Sequence, residues 1–217
     1  MDKSVYLGVF TNAFEILGTQ LYWLVLLILF AAVLKSAWFK GVVGEWMVNL
    51  IISRNFKQPE YFLFKDILLP TEDGTTQLDH VLLSPYGVFV IETKNMKGWI
   101  FGKEKQTKWV QQIYKHKSYF QNPLHQNYKH TKVMEDLLGL DKDHIKSLIV
   151  FIGSATFKTA MPKNVMRGGD LTSYIKSFKT EVITTGQLAE LRQQLTIDKL
   201  ESSFKNKRDH VKHVKEI

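Results

Sequence analysis

Hydrophobic and polar positions change their period several times along this chain. Residues 16–34, ILGTQLYWLVLLILFAAVL, run without a charged side chain. Residues 42–56, VVGEWMVNLIISRNF, shift to helical spacing. There Val43, Trp46 and Leu50, with Met47 and Ile51, form an apolar face beside Glu45, Val48, Asn49 and Ile52. YFLFKDILLP at 61–70 reads as a strand ended by Pro70, and TEDGTT as a turn. Residues 76–83 and 88–94 alternate as the two strands of a hairpin, and GWIFG at 98–102 predicts a further short strand. Residues 108–138 read as helix, broken at QNP (121–123). SLIVFIG at 147–153 is a buried strand. NVMRGGDLTSYIKSF gives a short strand and then a helix capped near Asp170. TTGQLAELRQQL and the terminal residues 198–217 read as helices. A helix, three strands, a helix and a strand, in that order, predict an α/β domain with a mixed sheet.

The first apolar run is long enough to cross a bilayer, which takes about 17–25 residues. Tyr22, Trp23 and Trp38 fit interfacial aromatics. A cleaved signal peptide would want a basic leading region and a shorter apolar stretch. Here the flank holds Asp2, Lys3 and Glu15, and no small-x-small cleavage site follows, so the run is expected to be an uncleaved anchor. Lys35 and Lys40 lie after it against Lys3 before it, which places the main domain on the cytoplasmic side of a single-pass membrane protein.

Composition narrows the rest. At 45% hydrophobic and 23% charged, the chain is not a disordered one. With no cysteine, disulfide frameworks and thiolate zinc sites are excluded, and a reducing compartment fits. The formal charge of +8 points to a polyanionic partner, either nucleic acid or an anionic membrane surface.

The hairpin TTQLDHVLLSPYGVFVIETKN (75–95) carries Asp79, Glu92 and Lys94 within or at the ends of its apolar runs. A buried charge is costly unless it is paired or binds a metal. Side chains alternate across a strand, so Glu92 and Lys94 share a face and Thr93 takes the other. If Pro85-Tyr86 is a two-residue loop, Asp79 lies opposite Glu92, with β-carbons about 4.5–5.5 Å apart. A bulge at Gly87 would shift the register by one and part the two faces. Two carboxylates that close repel unless a divalent cation lies between them. Asp79, Glu92 and the Thr93 carbonyl supply three oxygens of the kind magnesium or manganese prefers. Such an ion polarises a phosphate and lowers the pKa of a bound water. Lys94 would orient that water or stabilise developing negative charge, and Glu45 would add an acidic group. The chemistry this predicts is phosphodiester hydrolysis. The bland alternative is a charged cluster on a half-exposed sheet face, with Lys94 paired to Glu92 or Asp79.

These residues carry a resemblance. GE at 44–45, TQLDHVLLSPYGVFVIETKNMKGWIFG at 76–102, Trp109 and QNPLHQNYKH at 121–130 resemble the NERD (nuclease-related) domain, itself similar to the PD-(D/E)xK nuclease superfamily. The likeness spans about residues 41–155. It leaves a flank at 1–15, the transmembrane anchor at 16–34, and a C-terminal strand and helix extension at 156–217. It implies a restriction-endonuclease-like αβββαβ core and a metal-dependent nuclease site at Glu45, Asp79, Glu92 and Lys94, with Gln126 from the following helix.

Residues 97–132 hold eight lysines and one acid, Glu104. Lys97, Lys103, Lys105, Lys108, Lys115, Lys117 and Lys129 are candidates for phosphate contacts. Trp99, Phe101, Trp109, Tyr114, Tyr119, Phe120 and Tyr128 are interleaved with them. Aromatics of this kind can stack on unpaired bases, yet most of these are expected to be core. Gln126 shares a helical face with Lys129 and His130, placed either to approach a nucleotide phosphate or to brace the hairpin. His116, His125 and His130 lack zinc-site spacing. The terminal segment strings Leu200, Phe204, Val211 and Val214 along one stripe with lysines around it, as a docked basic helix would.

Together these features predict a membrane-anchored, magnesium-dependent nuclease, with DNA preferred to RNA as partner. Two alternatives share the sequence: a non-catalytic nucleic-acid-binding module of the same fold, and a membrane-proximal interaction domain whose basic face meets lipid headgroups.

Overall fold

Ser36 separates the first two helices, α1 (Lys3–Lys35) and α2 (Ala37–Asn55). Its hydroxyl accepts the Phe39 N–H at 3.1 Å and donates to the Val33 carbonyl at 2.7 Å, so it caps α2 in the usual way. The second helix therefore begins five residues earlier than its apolar period indicates. The computed structural model describes residues 3–71 and 74–197, with residues 3–17 described by backbone alone. The terminal basic helix expected over 198–217 lies outside the described residues.

The chain divides into two units, Met1–Val42 and Val43–Ile217. In the first, Gly18–Lys35 has a mean hydropathy of 1.7 and no buried side chain. This helix is long and apolar enough to cross a membrane.

The second unit holds two sheets. β1 (Phe62–Thr71), β2 (Gly74–Ser84) and β3 (Gly87–Asn95) form an antiparallel meander. β4 (Gly98–Phe101), β5 (Lys108–Ile113) and β6 (His116–Gln121) leave it, followed by α3 (Pro123–Leu138) and β7 (Ile145–Ile152). β7 returns parallel to β3. After β8 (Ala155–Phe157), β9 (Val165–Arg167) adds parallel to β7. The main sheet has the order β1-β2-β3-β7-β9, and the second the order β6-β5-β4-β8. The expected αβββαβ core with a mixed sheet is present, with β4–β6 inserted between its third strand and its second helix.

Both faces of the main sheet are covered, as a mixed α/β sheet requires. On one, Val81, Leu83, Val88 and Val90 pack with Met134 and Leu138 of α3. Leu188, Leu191 and Leu195 of α5, a helix over 185–197, join them. On the other, Leu82, Phe89, Ile91 and Val150 pack with Val48 and Ile52 of α2. Leu171 and Ile175 of α4 (Leu171–Lys176) complete that face.

Two expectations are corrected. The buried stripe of α2 is Gly44, Val48 and Ile52, not Val43, Trp46 and Leu50; Trp46 is 60% exposed. The reason is backbone approach rather than side-chain size. A β-carbon on Gly44 would sit 2.7 Å from the Asn95 β-carbon and 3.4 Å from Thr93 Cγ2, so the bare glycine turns that side of the helix onto β3. Residues 108–121 are a hairpin, not a helix. Trp109 and Ile113 are four apart, a spacing that shares a face in either structure. The hairpin is closed at Tyr114, whose φ is 53°. Trp109 is fully buried and stacks parallel to Phe151 of β7 at 6.3 Å, which pins the second sheet to the first.

We expect Gly44→Val to force α2 off β3 and destabilise the fold by about 1–3 kcal/mol, the usual cost of overpacking a close contact. Urea unfolding checks this. A variant as stable as wild type would show that the approach at Gly44 is not tight.

Candidate functional site

The hairpin turn sets the site. The Ser84 hydroxyl accepts the Tyr86 N–H at 3.2 Å and donates to the Gly87 carbonyl at 3.0 Å. Gly87 has a φ of 132°, and a β-carbon there would meet the His144 carbonyl at 2.8 Å. Ser84 pairs Gly87, and the ladder runs unbroken to His80 opposite Ile91. No bulge intervenes, so the next position places Asp79 across from Glu92, the register expected of a two-residue Pro85-Tyr86 loop.

Asp79 Oδ2 accepts the Thr93 N–H at 2.8 Å. Lys94 Nζ donates to Glu92 Oε1 at 2.6 Å and to Gln126 Oε1 at 2.9 Å. Gln126 thus braces the lysine from α3. That helix is aimed by two asparagines. Asn122 caps it, accepting the Leu124 N–H at 3.0 Å, and its amide donates to the Glu104 and Gln106 carbonyls. Asn127, fully buried, reaches between β3 and β7 to donate to the Val90 carbonyl at 2.9 Å. Glu45 reaches the cluster from α2 on the opposite face of the sheet, which is also the face Thr93 turns toward.

Glu92 is only 3% exposed. Burial would raise its pKa, but contacts with His130 and Lys94 outweigh burial and hold it below the usual carboxylate range. Asp79 is pushed up to about 7, first by burial and then by the negative charge of Glu92 and Glu45, against the Thr93 hydrogen bond and Lys94. Glu45 is raised by burial, Asp66 and Glu92. Four carboxylates, Glu45, Asp66, Asp79 and Glu92, are therefore linked by repulsion here, with Lys94 set against Glu92.

Two members of this array have no place beside the carboxylates in the sequence reading. His130, which the sequence places on the Gln126 face as a candidate for a phosphate contact, contacts the glutamate instead: its Nε2 lies 3.4 Å from Glu92 Oε2 and its Nδ1 3.1 Å from Thr76 Oγ1. Its spacing of four from Gln126 was the available signal. Asp66 takes a φ of 51° and drops out of the ladder between Lys65–His80 and Ile67–Leu78, opposite Asp79. An acid inside YFLFKDILLP marked it.

Among the described residues, no group of three or more His, Asp or Glu side chains forms a ready cage for a metal. This arrangement fits magnesium better than zinc. Magnesium is bound by one or two carboxylates, keeps several waters and takes substrate phosphate oxygens. The mutual repulsion that raises Asp79 and Glu45 is the charge such an ion relieves.

The seven candidate lysines, Lys97, Lys103, Lys105, Lys108, Lys115, Lys117 and Lys129, are all exposed, but they do not lie on one surface. Lys129 is on α3, and the others lie on or beside the second sheet. The expectation that most aromatics of this region are core is corrected. Trp99, Tyr114, Tyr119 and Tyr128 are exposed, whereas Trp109 is buried.

An αβββαβ core with an Asp on its second strand and an E-x-K on its third is the general arrangement of the PD-(D/E)xK nuclease-like superfamily. The chain belongs to the NERD family within it: the family model, described as nuclease-related domain, matches residues 40–152. The chain is also similar to an uncharacterized protein of Bacillus anthracis. The two are 34% identical over 209 residues, which is 93% of this chain and 95% of that protein. No solved structure matches the chain.

His80, buried and hydrogen-bonded to the Glu45 backbone, is pushed down to about 4, chiefly by burial. Between pH 6.5 and 4 the unfolded state then binds a proton at His80 that the folded state refuses, so this group removes stability as pH falls. Asp79 acts oppositely. Its raised pKa makes the folded state bind the extra proton between about pH 4 and 7, so its cost to stability is lost as pH falls. We expect the two to offset in wild type. In unfolding experiments under chelator, His80→Gln gains stability on going from pH 7 to 4.5 relative to wild type, and Asp79→Asn loses it. Parallel pH profiles for all three proteins would contradict this assignment.

Proposed function

We propose that this chain is a membrane-anchored, divalent-cation-dependent nuclease that hydrolyses nucleic-acid phosphodiester bonds. The observation that supports this most is the juxtaposition of Asp79 and Glu92 across the hairpin, with Lys94 held between Glu92 and Gln126. Membership of a nuclease-related family supports it independently.

In this reading Asp79, Glu92 and the Thr93 carbonyl hold magnesium or manganese. The bound ion supplies Lewis-acid polarisation of the phosphate and a water of lowered pKa. Asp79 must give up its proton to serve as a ligand, and a bound cation would favour its ionised form against the burial and repulsion that raise it to about 7. Lys94 carries the positive charge that meets the negative charge developing on the phosphate. Gln126 fixes the direction of the ammonium, and His130 holds the far oxygen of Glu92, leaving the glutamate little freedom to rotate. Glu45 adds negative charge from the opposite face of the sheet. Lys35 and Lys40 after the apolar helix favour a cytoplasmic position for the nuclease domain.

The full-length chain, purified in mild detergent, should cleave DNA or RNA with magnesium or manganese and stop when the metal is chelated. Asp79→Ala and Lys94→Ala should each be slower by about a hundredfold or more, the scale of losing one group that stabilises transition-state charge. If wild type and both variants behave alike, the assignment fails. Salt-sensitive binding without cleavage would instead mark a binding module of the same fold.

The anchor has its own test. The chain should stay with membranes through an alkaline carbonate wash, and a version lacking residues 1–36 should not. Equal release of the two would overturn anchoring.

A further inference from the structure

The second sheet has one face against the core and one face open. Ile100 and Trp109 point inward with Phe151 and Val165. Antiparallel partners share a face, so the register fixes what points outward. Trp99 pairs Gln112, which pairs Lys117; Phe101 pairs Val110, which pairs Tyr119; Lys108 pairs Gln121. The outer face therefore presents three aromatic positions, Trp99, Phe101 and Tyr119, with lysines beside them. Trp99 is 48% exposed and Tyr119 69% exposed. Lys158, following β8, stands over the Trp99 ring at 4.6 Å. It steadies one side of the indole and brings a cation to the same face.

We infer that this outer face, built around Trp99, Phe101 and Tyr119 with Lys108, Lys117 and Lys158, binds single-stranded nucleic acid. The inference rests on the nuclease reading above and names the form of substrate that the site would receive.

The chemistry favours this occupant. Large exposed rings on a flat sheet are costly in water unless something covers them. An unpaired base has an open π-face that stacks on such rings, and a duplex keeps its bases stacked inside and offers mainly phosphate and groove. Trp99 and Tyr119 lie on strands two apart, about 10 Å across the sheet, with Phe101 on the same strand as Trp99 and level with Tyr119 across Val110. Lysines flanking the rings meet the backbone phosphates. The segment 97–132 carries eight lysines and one acid, so the charge is complementary to a polyanion. A lipid surface is a poorer match. The outward apolar row, Phe101–Val110–Tyr119, is only three residues across and is flanked by Lys108, Gln112, Lys117 and Gln121, far short of the long apolar face that enters a bilayer interface.

The test is binding, measured under chelator with the full-length chain in detergent, so that cleavage plays no part. The probes are a fluorescent single-stranded oligonucleotide, the same length of duplex, and a single strand in which the bases are replaced by abasic sites. The single strand should bind tighter than either control. Trp99→Ala and Tyr119→Ala should each weaken it by roughly tenfold, the scale of one stacked base, and leave the abasic strand unaffected. Trp99→Phe and Tyr119→Phe keep a ring and should retain binding. Because chelator silences the cleavage site, weakened binding in these variants is read separately from any loss of cleavage. Equal affinity for normal and abasic strands overturns the inference, as does unchanged binding by both alanine variants. Loss of binding to phosphatidylglycerol vesicles in those variants, with single-strand binding intact, would assign the face to lipid and likewise overturn it.

Discussion

A two-residue turn governs this site. Pro85 and Tyr86 close the β2–β3 hairpin without a bulge, and strand alternation does the rest. One residue of slip would send Asp79 to the face opposite Glu92 and Lys94, which stay together on β3. The turn is therefore guarded from several sides. The Ser84 hydroxyl bridges it, Gly87 accepts a backbone that a side chain would not fit, and the N–H groups of Val182 and Ile183 bind the Pro85 carbonyl from outside. These contacts lie far along the strands from the carboxylates, yet they decide which side chains meet.

Fixed register brings a charge problem with it. Glu92 is buried and kept ionised by Lys94 and His130, whereas Asp79 is driven toward the neutral form by the same neighbourhood. One carboxylate is thus held below the usual range, and its partner is raised to about 7. The surrounding scaffold is rigid. Asn127 ties α3 to β3 and β7 through backbone carbonyls, and Gly44 lets α2 come close enough to bring Glu45 into the same field. Stability alone would favour apolar residues at these positions. The fold instead keeps an unbalanced acidic cluster, which is what a site for a divalent cation requires.

Much of this was readable in the sequence. The hairpin register, the E-x-K spacing, the membrane-length helix and the strand at 147–153 all rest on local periodicity or on turn chemistry, and both are local properties. The failures share a cause. Trp46 looked like core because it is large and apolar, but the rotation of α2 is set by a missing side chain at Gly44 and by a strand distant in sequence. The 108–121 hairpin looked helical because Trp109 and Ile113 satisfy both periods; only pairing with β4 separates them. Asp66 and His130 join the site through tertiary approach, across a hairpin and from a helix; spacing put His130 on the Gln126 face but did not name Glu92 as its partner. The exposure of Trp99 and Tyr119 follows from which face of the second sheet meets Phe151.

In the proposed reading the labour is divided: the apolar helix tethers, the acidic hairpin performs chemistry, and the open basic sheet holds the strand. The central claim concerns the hairpin. Its most direct measurement is manganese binding to the full-length chain, followed by electron paramagnetic resonance above pH 7, where Asp79 is ionised. The account predicts saturable binding in wild type and in Lys94→Ala, and its loss in Asp79→Asn and Glu92→Gln. Equal manganese uptake by wild type and the two carboxylate variants would contradict it.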